Sequence, residues 1–257
     1  MSRGLILMYH QVDTPQTAKE HRFCTPPAEF SRQMAHLAAE YSPIQLDALL
    51  QCVAGTRPWP ERAVHVTFDD GFVGVLEHAA PVLAARSIPA TLFAVSGRLG
   101  RSNDWMTASG FPERPLLRGL QLRELESAGF VIGSHTMTHA RLTEIGAERV
   151  ANEVISSKRA LEDTLGKEVR YFAYPYGLLD DAVRAAVVDA GYLAACSTAS
   201  GFNVCGQDLF QMRRIDIYGT DRLWQFRQKL RFGRNTANRI EGLRYYAARI
   251  GARLSRY

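Results

Sequence analysis

Two aspartates, Asp69 and Asp70, stand side by side in "VTFDDGF" (residues 66–72), where an apolar run ends and a glycine follows. Adjacent carboxylates repel, and each is costly to desolvate beside apolar surface unless something neutralises it. An Asp-Gly turn is one reading of the triplet. The other is a bound cation, with one carboxylate as ligand and its neighbour left free to accept a proton. Further along, "IGSHTMTHARL" holds His135 and His139 four residues apart. If Ser134 opens a helical turn, both imidazoles project from one face. Two histidines and one aspartate give three protein ligands and leave a position open for water, the arrangement of a catalytic metal. Zn2+ suits that donor set best, and Co2+, Ni2+ or Mn2+ are also compatible with it.

A third cluster is "RYFAYPYG" (residues 170–177). A turn through Pro175, Tyr176 and Gly177 exposes backbone N–H groups, and the Tyr176 amide is placed to donate to an oxyanion. Arg170 either reaches inward to a carboxylate or lies on the surface of an ordinary strand. Between residues 96 and 119 runs a long Gly-, Ser-, Pro- and Arg-rich stretch, longer than a simple connection needs. Its Trp105 either stacks on a sugar or caps a hydrophobic edge.

Such side chains need a frame that brings distant segments to one place. Apolar runs at residues 5–9, 63–68, 90–95, 130–133, 169–173, 193–196 and 213–217 predict seven strands. Helical patterns lie between most of them. "TPPAEFSRQMAHLAAE" sets Phe30, Met34 and Leu37 on one face. "AERVANEVISSKRALEDTLG" sets Val150, Val154, Leu161 and Leu165 on one stripe before Gly166. Strand–helix alternation of this kind predicts an α/β protein with a parallel sheet, either open or closed into a barrel slightly short of eight strands. Barrel active sites lie at the C-terminal strand ends, and both "DDG" and the His135–His139 pair follow strand ends.

The chain has 257 residues, 46% of them hydrophobic and 22% charged, the proportions of a soluble globular protein. No apolar stretch approaches the roughly 18 residues of a membrane span. The start, "MSRGLILMYHQV", reads as a first strand rather than a signal-peptide core, so the expected location is cytoplasmic. Cys24, Cys52, Cys196 and Cys205 form no CxxC pair, which excludes a zinc-finger spacing and leaves free thiols as the expectation. The net charge of +5 is uneven. From Arg222 onward ten basic residues face a single acidic one, Glu241, so this segment carries +9 and the remainder −4. The expected division is a barrel over residues 1–221 and a basic helical tail over 222–257. In that tail Ile240, Leu243, Ala247, Ile250 and Leu254 share one helical face, to be packed on the barrel or held at an anionic membrane surface. No nucleic-acid motif accompanies the charge.

"TFDDG", "SHTMTH" and "RYFAYPYG", in this order, resemble the polysaccharide deacetylase family, also called the NodB-homology or carbohydrate esterase family 4 domain, from about residue 63 to 217. The resemblance implies a distorted (β/α)7 barrel and metal-dependent hydrolysis of N-acetyl groups on sugars. It assigns Asp69 as catalytic base, Asp70, His135 and His139 as metal ligands, Arg170 as the arginine that orients the base, and Pro175 and Tyr176 as groove and oxyanion donor. Family members usually carry a late Leu-x-His whose histidine acts as general acid. Here the matching strand reads "RRIDIYG", and no histidine follows His139. "LILMYHQV" resembles the opening of a permuted branch of the family that includes exopolysaccharide deacetylases, which makes His10 the expected acid, with Asp216 as a partner for its imidazole. The implied substrate is an N-acetylated sugar or glycan of an exopolysaccharide or cell envelope, with a lipid-linked precursor included. The alternatives are an amidase of the same fold acting on a small non-sugar amide, or a carbohydrate-binding relative with weak catalysis.

Overall fold

The computed structural model describes residues 2–237. Its centre is a ring of parallel strands. Arg3–Tyr9 pairs with Ala63–Phe68, which pairs with Ala90–Ala94, then Phe130–Ser134, Tyr171–Ala173 and Ala194–Cys196, all in parallel register. A parallel bridge joins Cys196 to Met212, and the strand that follows, Ile215–Asp216, lies parallel to Leu7 and Met8 of the first strand. Seven strands therefore close on themselves, the distorted (β/α)7 barrel that the family resemblance implied and one of the two forms the alternation allowed. The last strands are shorter than expected. Residues 169 and 170 precede the fifth strand, and only Ile215 and Asp216 form the seventh.

The period of two along each strand sorts the side chains. Leu5, Leu7, Tyr9, Val64, Val66, Phe68 and Ile215 face outward into the core beneath the helices. Their alternates face inward. Ile6, Phe93, Tyr171, Ala173 and Met212 form a second cluster that packs on the helix Leu46–Val53. His65 is an interior side chain with both nitrogens satisfied, at 2.8 Å from Ile44 O and 2.9 Å from Thr91 Oγ1. Burial lowers its pKa to about 4, so it is a neutral structural histidine. Glycine is required at Gly133, where a Cβ would stand 2.5 Å from the Phe93 ring.

The helix Ala147–Leu165 buries Val150, Val154 and Leu161 as its stripe predicts and ends at Gly166 with φ +71°. At the other end of the chain, the helix Leu223–Phe232 buries Phe226 and Leu230 in the same core. The apolar face expected over residues 240–254 lies outside the described residues. Among the described residues no helix is long and apolar enough to cross a membrane, and all four cysteines are free.

Candidate metal centre and catalytic site

The inward alternates of the Ala63–Phe68 strand are His65, Thr67 and, just past its end, Asp69. The Asp69 amide donates to Tyr9 O (2.9 Å), so Asp69 sits level with His10, the residue that follows the first strand. The backbone then turns sharply. Gly71 N–H donates to Asp69 O (2.9 Å) across Asp70, whose φ is +73°. A three-residue turn with a positive central φ is rare and strained, and such strain persists where the surroundings hold it. Here it separates the two carboxylates, and both are buried, at 2% and 4% exposure.

Asp70 meets the histidine pair. One ligand atom from each of Asp70, His135 and His139 lies within 4.8 Å of the others, and all three residues are buried. Asp70 Oδ1 is 3.3 Å from His139 Nε2 and 3.7 Å from His135 Nε2. His135 Nδ1 lies 2.8 Å from Ala173 O, which assigns the proton to Nδ1 and frees Nε2. Burial lowers the His135 pKa to about 4, with the charge of Asp69 opposing, so the imidazole is neutral. Asp70 Oδ1 itself is a buried oxygen without a hydrogen-bond partner. An orphaned carboxylate oxygen facing two imidazole nitrogens fits a divalent cation. These residues therefore fit the metal that the sequence called for.

The histidines reach this position by a different route from the expected helical turn. Thr136 has φ +67° and His139 φ +61°, both left-handed, so residues 135–139 form a tight loop. Glu153, from the helix Ala147–Leu165, holds it. Its carboxylate accepts from Met137 N and Thr138 N (both 2.9 Å) and from Thr138 Oγ1 (2.6 Å). Sequence reasoning missed Glu153, although a signal was present: it lies between Val150 and Val154 on the buried stripe. Glu153→Ala leaves two loop amides unsatisfied and should lower stability by about 2–4 kcal/mol, read as a fall in the urea midpoint at unchanged slope.

Asp69 is held from another direction. Arg214, fully buried, donates from Nη1 to Oδ1 (2.6 Å) and from Nη2 to Oδ2 (2.8 Å). Its Nε donates to Ser197 O (2.9 Å). Burial alone would raise the Asp69 pKa, but the Arg214 charge, with His135 and His10, outweighs it and lowers the value, so the carboxylate is ionised. Arg170 does not perform this task. It forms a bidentate pair with Asp47 (3.0 and 2.8 Å) and is about a third exposed. The physical reason is parity. Arg170 alternates with Phe172, which packs outward, whereas Arg214 alternates with Met212 inside the barrel. The overlooked signal was an arginine inside the short apolar strand "RRIDI".

Three more expected residues border the centre. Pro175 and Tyr176 form a turn with Tyr176 at φ +59°, and the Tyr176 ring stands edge-on to His139 with centroids 4.6 Å apart. Trp105 lies flat on the other ligand-bearing surface, stacked on His139 at 4.8 Å and 13°. That contact makes Trp105 a neighbour of a metal-ligand candidate, a role the sequence did not suggest. His10 Nδ1 is buried without a hydrogen-bond partner, and so is Asp216 Oδ1. The charge of His10 acts on Asp69, Asp70 and Asp216 alike, each carboxyl being lowered by it. Burial nevertheless leaves Asp216 raised overall. Beside Asp70 opens a pocket walled by Phe23, Phe72, Met106 and Phe111, with Gln11, Glu20, Cys24 and Asn103 also lining it.

Comparison with known proteins places this arrangement. The sequence profile of the family described as Polysaccharide deacetylase matches residues 56–195. YxkH of Bacillus subtilis (strain 168) is 24% identical over 214 residues, 82% of this chain and 70% of that one. The poly-beta-1,6-N-acetyl-D-glucosamine N-deacetylase of Staphylococcus aureus (strain MRSA252) is 27% identical over 132 residues, 48% of this chain and 43% of that one. The chain thus matches less than half the length of that relative. Among solved structures, the polysaccharide deacetylase BC0361 from Bacillus cereus superposes with a TM-score of 0.75 at 27% identity, covering 89% of this chain and 69% of that one. The Streptococcus pyogenes deacetylase PplD, solved with acetate, shares the fold at a TM-score of 0.76 and 21% identity, over 90% of this chain and 98% of that one.

Proposed function

Because this chain belongs to the polysaccharide deacetylase family, we propose that it is a metal-dependent hydrolase that removes acetyl from N-acetylated amino-sugar residues of a glycan. The observation that carries this reading is the buried Asp70–His135–His139 set beside a separate carboxylate, Asp69, already ionised by Arg214. A poly-N-acetylglucosamine chain is the favoured substrate class, supported by the name of the Staphylococcus aureus relative. The basic segment from Arg222 onward favours an anionic carrier or surface, such as a lipid-linked glycan at the inner face of a membrane.

Asp70, His135 and His139 would hold a divalent ion, and that ion would supply Lewis acidity to the hydrolysis. Asp69 accepts the proton of the attacking water as its oxygen adds to the acetamide carbon. Arg214 keeps Asp69 anionic and fixes both its oxygens, so the base is oriented before substrate arrives. The Tyr176 amide, on the turn against His139, donates to the developing oxyanion. His10, level with Asp69 at the neighbouring strand end, donates a proton to the nitrogen as the C–N bond breaks, giving acetate and a free amine. The apolar wall beside Asp70 suits the acetyl methyl.

The test combines metal analysis with acetate release from N-acetylated β-1,6-linked glucosamine oligomers and chito-oligosaccharides. Acetate should appear together with new free amines, stop on treatment with dipicolinate and return on adding Zn2+. Release that survives complete removal of metal, or sugar binding with no release, overturns the proposal.

A further inference from the structure

The two histidines of the centre are held in different ways. His135 has its Nδ1 fixed by Ala173 O. His139 Nδ1 is buried with no hydrogen-bond partner. A ligating imidazole ordinarily gives its second nitrogen to a carboxylate or carbonyl, which sets the ring's orientation. In His139 ring contacts replace that bond. Trp105 stacks on one face at 13°, and the rings of Tyr176 and His135 meet it edge-on at 79° and 71°. Trp105 is not fixed by a hydrogen bond either, since its Nε1 is also buried and unpartnered. Its position comes from the loop that carries it, residues 96–118.

That loop is tied down at both arms. Gly97 N–H donates to Met137 O (2.9 Å), and a Cβ at Gly97 would come within 2.4 Å of the same oxygen. Leu117 N–H donates to Gly71 O (2.8 Å), next to the ligand Asp70. Between these ties sits Arg114, 6% exposed. Its Nε and Nη2 donate to the Glu20 carboxylate (2.8 and 2.9 Å), Nη1 to Asp13 Oδ2 (3.1 Å) and Nη2 to Thr14 O (2.9 Å). Asn103 Oδ1 accepts from the Arg114 amide (2.7 Å), so the clamp reaches the residue two before Trp105. A buried, bidentate, charge-assisted network of this kind is rigid because every member is satisfied.

We propose that the 96–118 loop is a strap across the metal centre: Trp105 is a positioning residue for the ligand His139, and the Arg114–Glu20–Asp13 clamp holds Trp105 in place. This rests on the metal-site reading above. With the indole removed, the imidazole keeps only its edge-on contacts with Tyr176 and His135 and loses the stacking that holds its plane, and ordering the ring on binding then costs affinity that the native site does not lose.

The experiment measures Zn2+ affinity of the full chain by competition with a chromophoric chelator, and the visible spectrum of the Co2+-loaded protein. Trp105→Leu should weaken Zn2+ binding about tenfold or more and alter the Co2+ bands, and Trp105→Phe, which keeps a stacking ring, should stay within about threefold of the wild type. Glu20→Gln, in the clamp and not among the three ligands, should shift affinity in the same direction by loosening the clamp. Wild-type affinity and an unaltered Co2+ spectrum in both Trp105→Leu and Glu20→Gln overturn the strap. Failure of the wild-type chain to bind either ion overturns the metal-site reading itself, a distinct result.

Discussion

In the Asp69→Asn variant, acetate release falls by about 100- to 10,000-fold, the usual contribution of a positioned base, while Zn2+ stays bound. The two halves of that result separate Asp69 from Asp70. Asp69 is outside the donor set, and both its oxygens are engaged by Arg214. An amide in its place cannot take a proton, yet it leaves Asp70, His135 and His139 untouched. The variant also strips Arg214 of its counter-charge. A buried guanidinium without a partner costs about 3–5 kcal/mol, so a fall in thermal midpoint should accompany the loss of rate. Rate must therefore be taken per folded, metal-loaded molecule, with circular dichroism and metal content measured on the same sample. A rate per loaded molecule near that of the wild type would remove Asp69 from the chemistry. A loss of metal would instead make it a ligand.

The parts of the site that were legible in the sequence are those encoded by short-range pattern. Strand–helix alternation gave a seven-stranded parallel sheet without deciding whether it closes, and the strand-end positions of "DDG" and "SHTMTH" brought Asp70, His135 and His139 together. What escaped is what depends on closure of the ring. Arg214 meets Asp69 only because the seventh strand returns beside the first, a contact spanning 145 residues. Arg170 carried the matching spacing to Pro175, but side-chain parity turns it toward Asp47. The loop from His135 to His139 looked helical because four residues separate the histidines. Its left-handed residues are held by Glu153 from a later helix, and local spacing does not reveal that partner. Trp105 was legible as an unusual aromatic in a long loop, but its partner, His139, became visible only once the loop was placed over the centre.

Arg214→Met carries the second large effect, and its signature lies in pH. Burial by itself raises the Asp69 pKa, and Arg214 is the largest of the influences that lower it. Methionine keeps the side chain's bulk and removes the charge, leaving burial less opposed. The folded-state pKa of Asp69 then rises, so at neutral pH a larger fraction of the base is protonated and inactive. In the wild type the depressed pKa means that this pair stabilises the fold above about pH 4, the unfolded value, and that the contribution fades as pH falls through the lower folded value. In Arg214→Met that contribution is absent, and the ionised carboxylate becomes the destabilised form. Stability should therefore improve relative to wild type as the pH is lowered through the raised folded value toward about 4, the unfolded value, the reverse of the wild-type trend for this group. The acid limb of kcat/KM should move upward in pH, with activity partly restored as pH rises, since the preference for the anion that Arg214 supplies is lost. Arg214→Lys keeps a charge but not the two-pronged geometry, and should shift the limb less while still lowering the plateau. An acid limb that stays in place in Arg214→Met, with only the plateau reduced, would show that Arg214 supports the barrel wall and does not set the charge of the base.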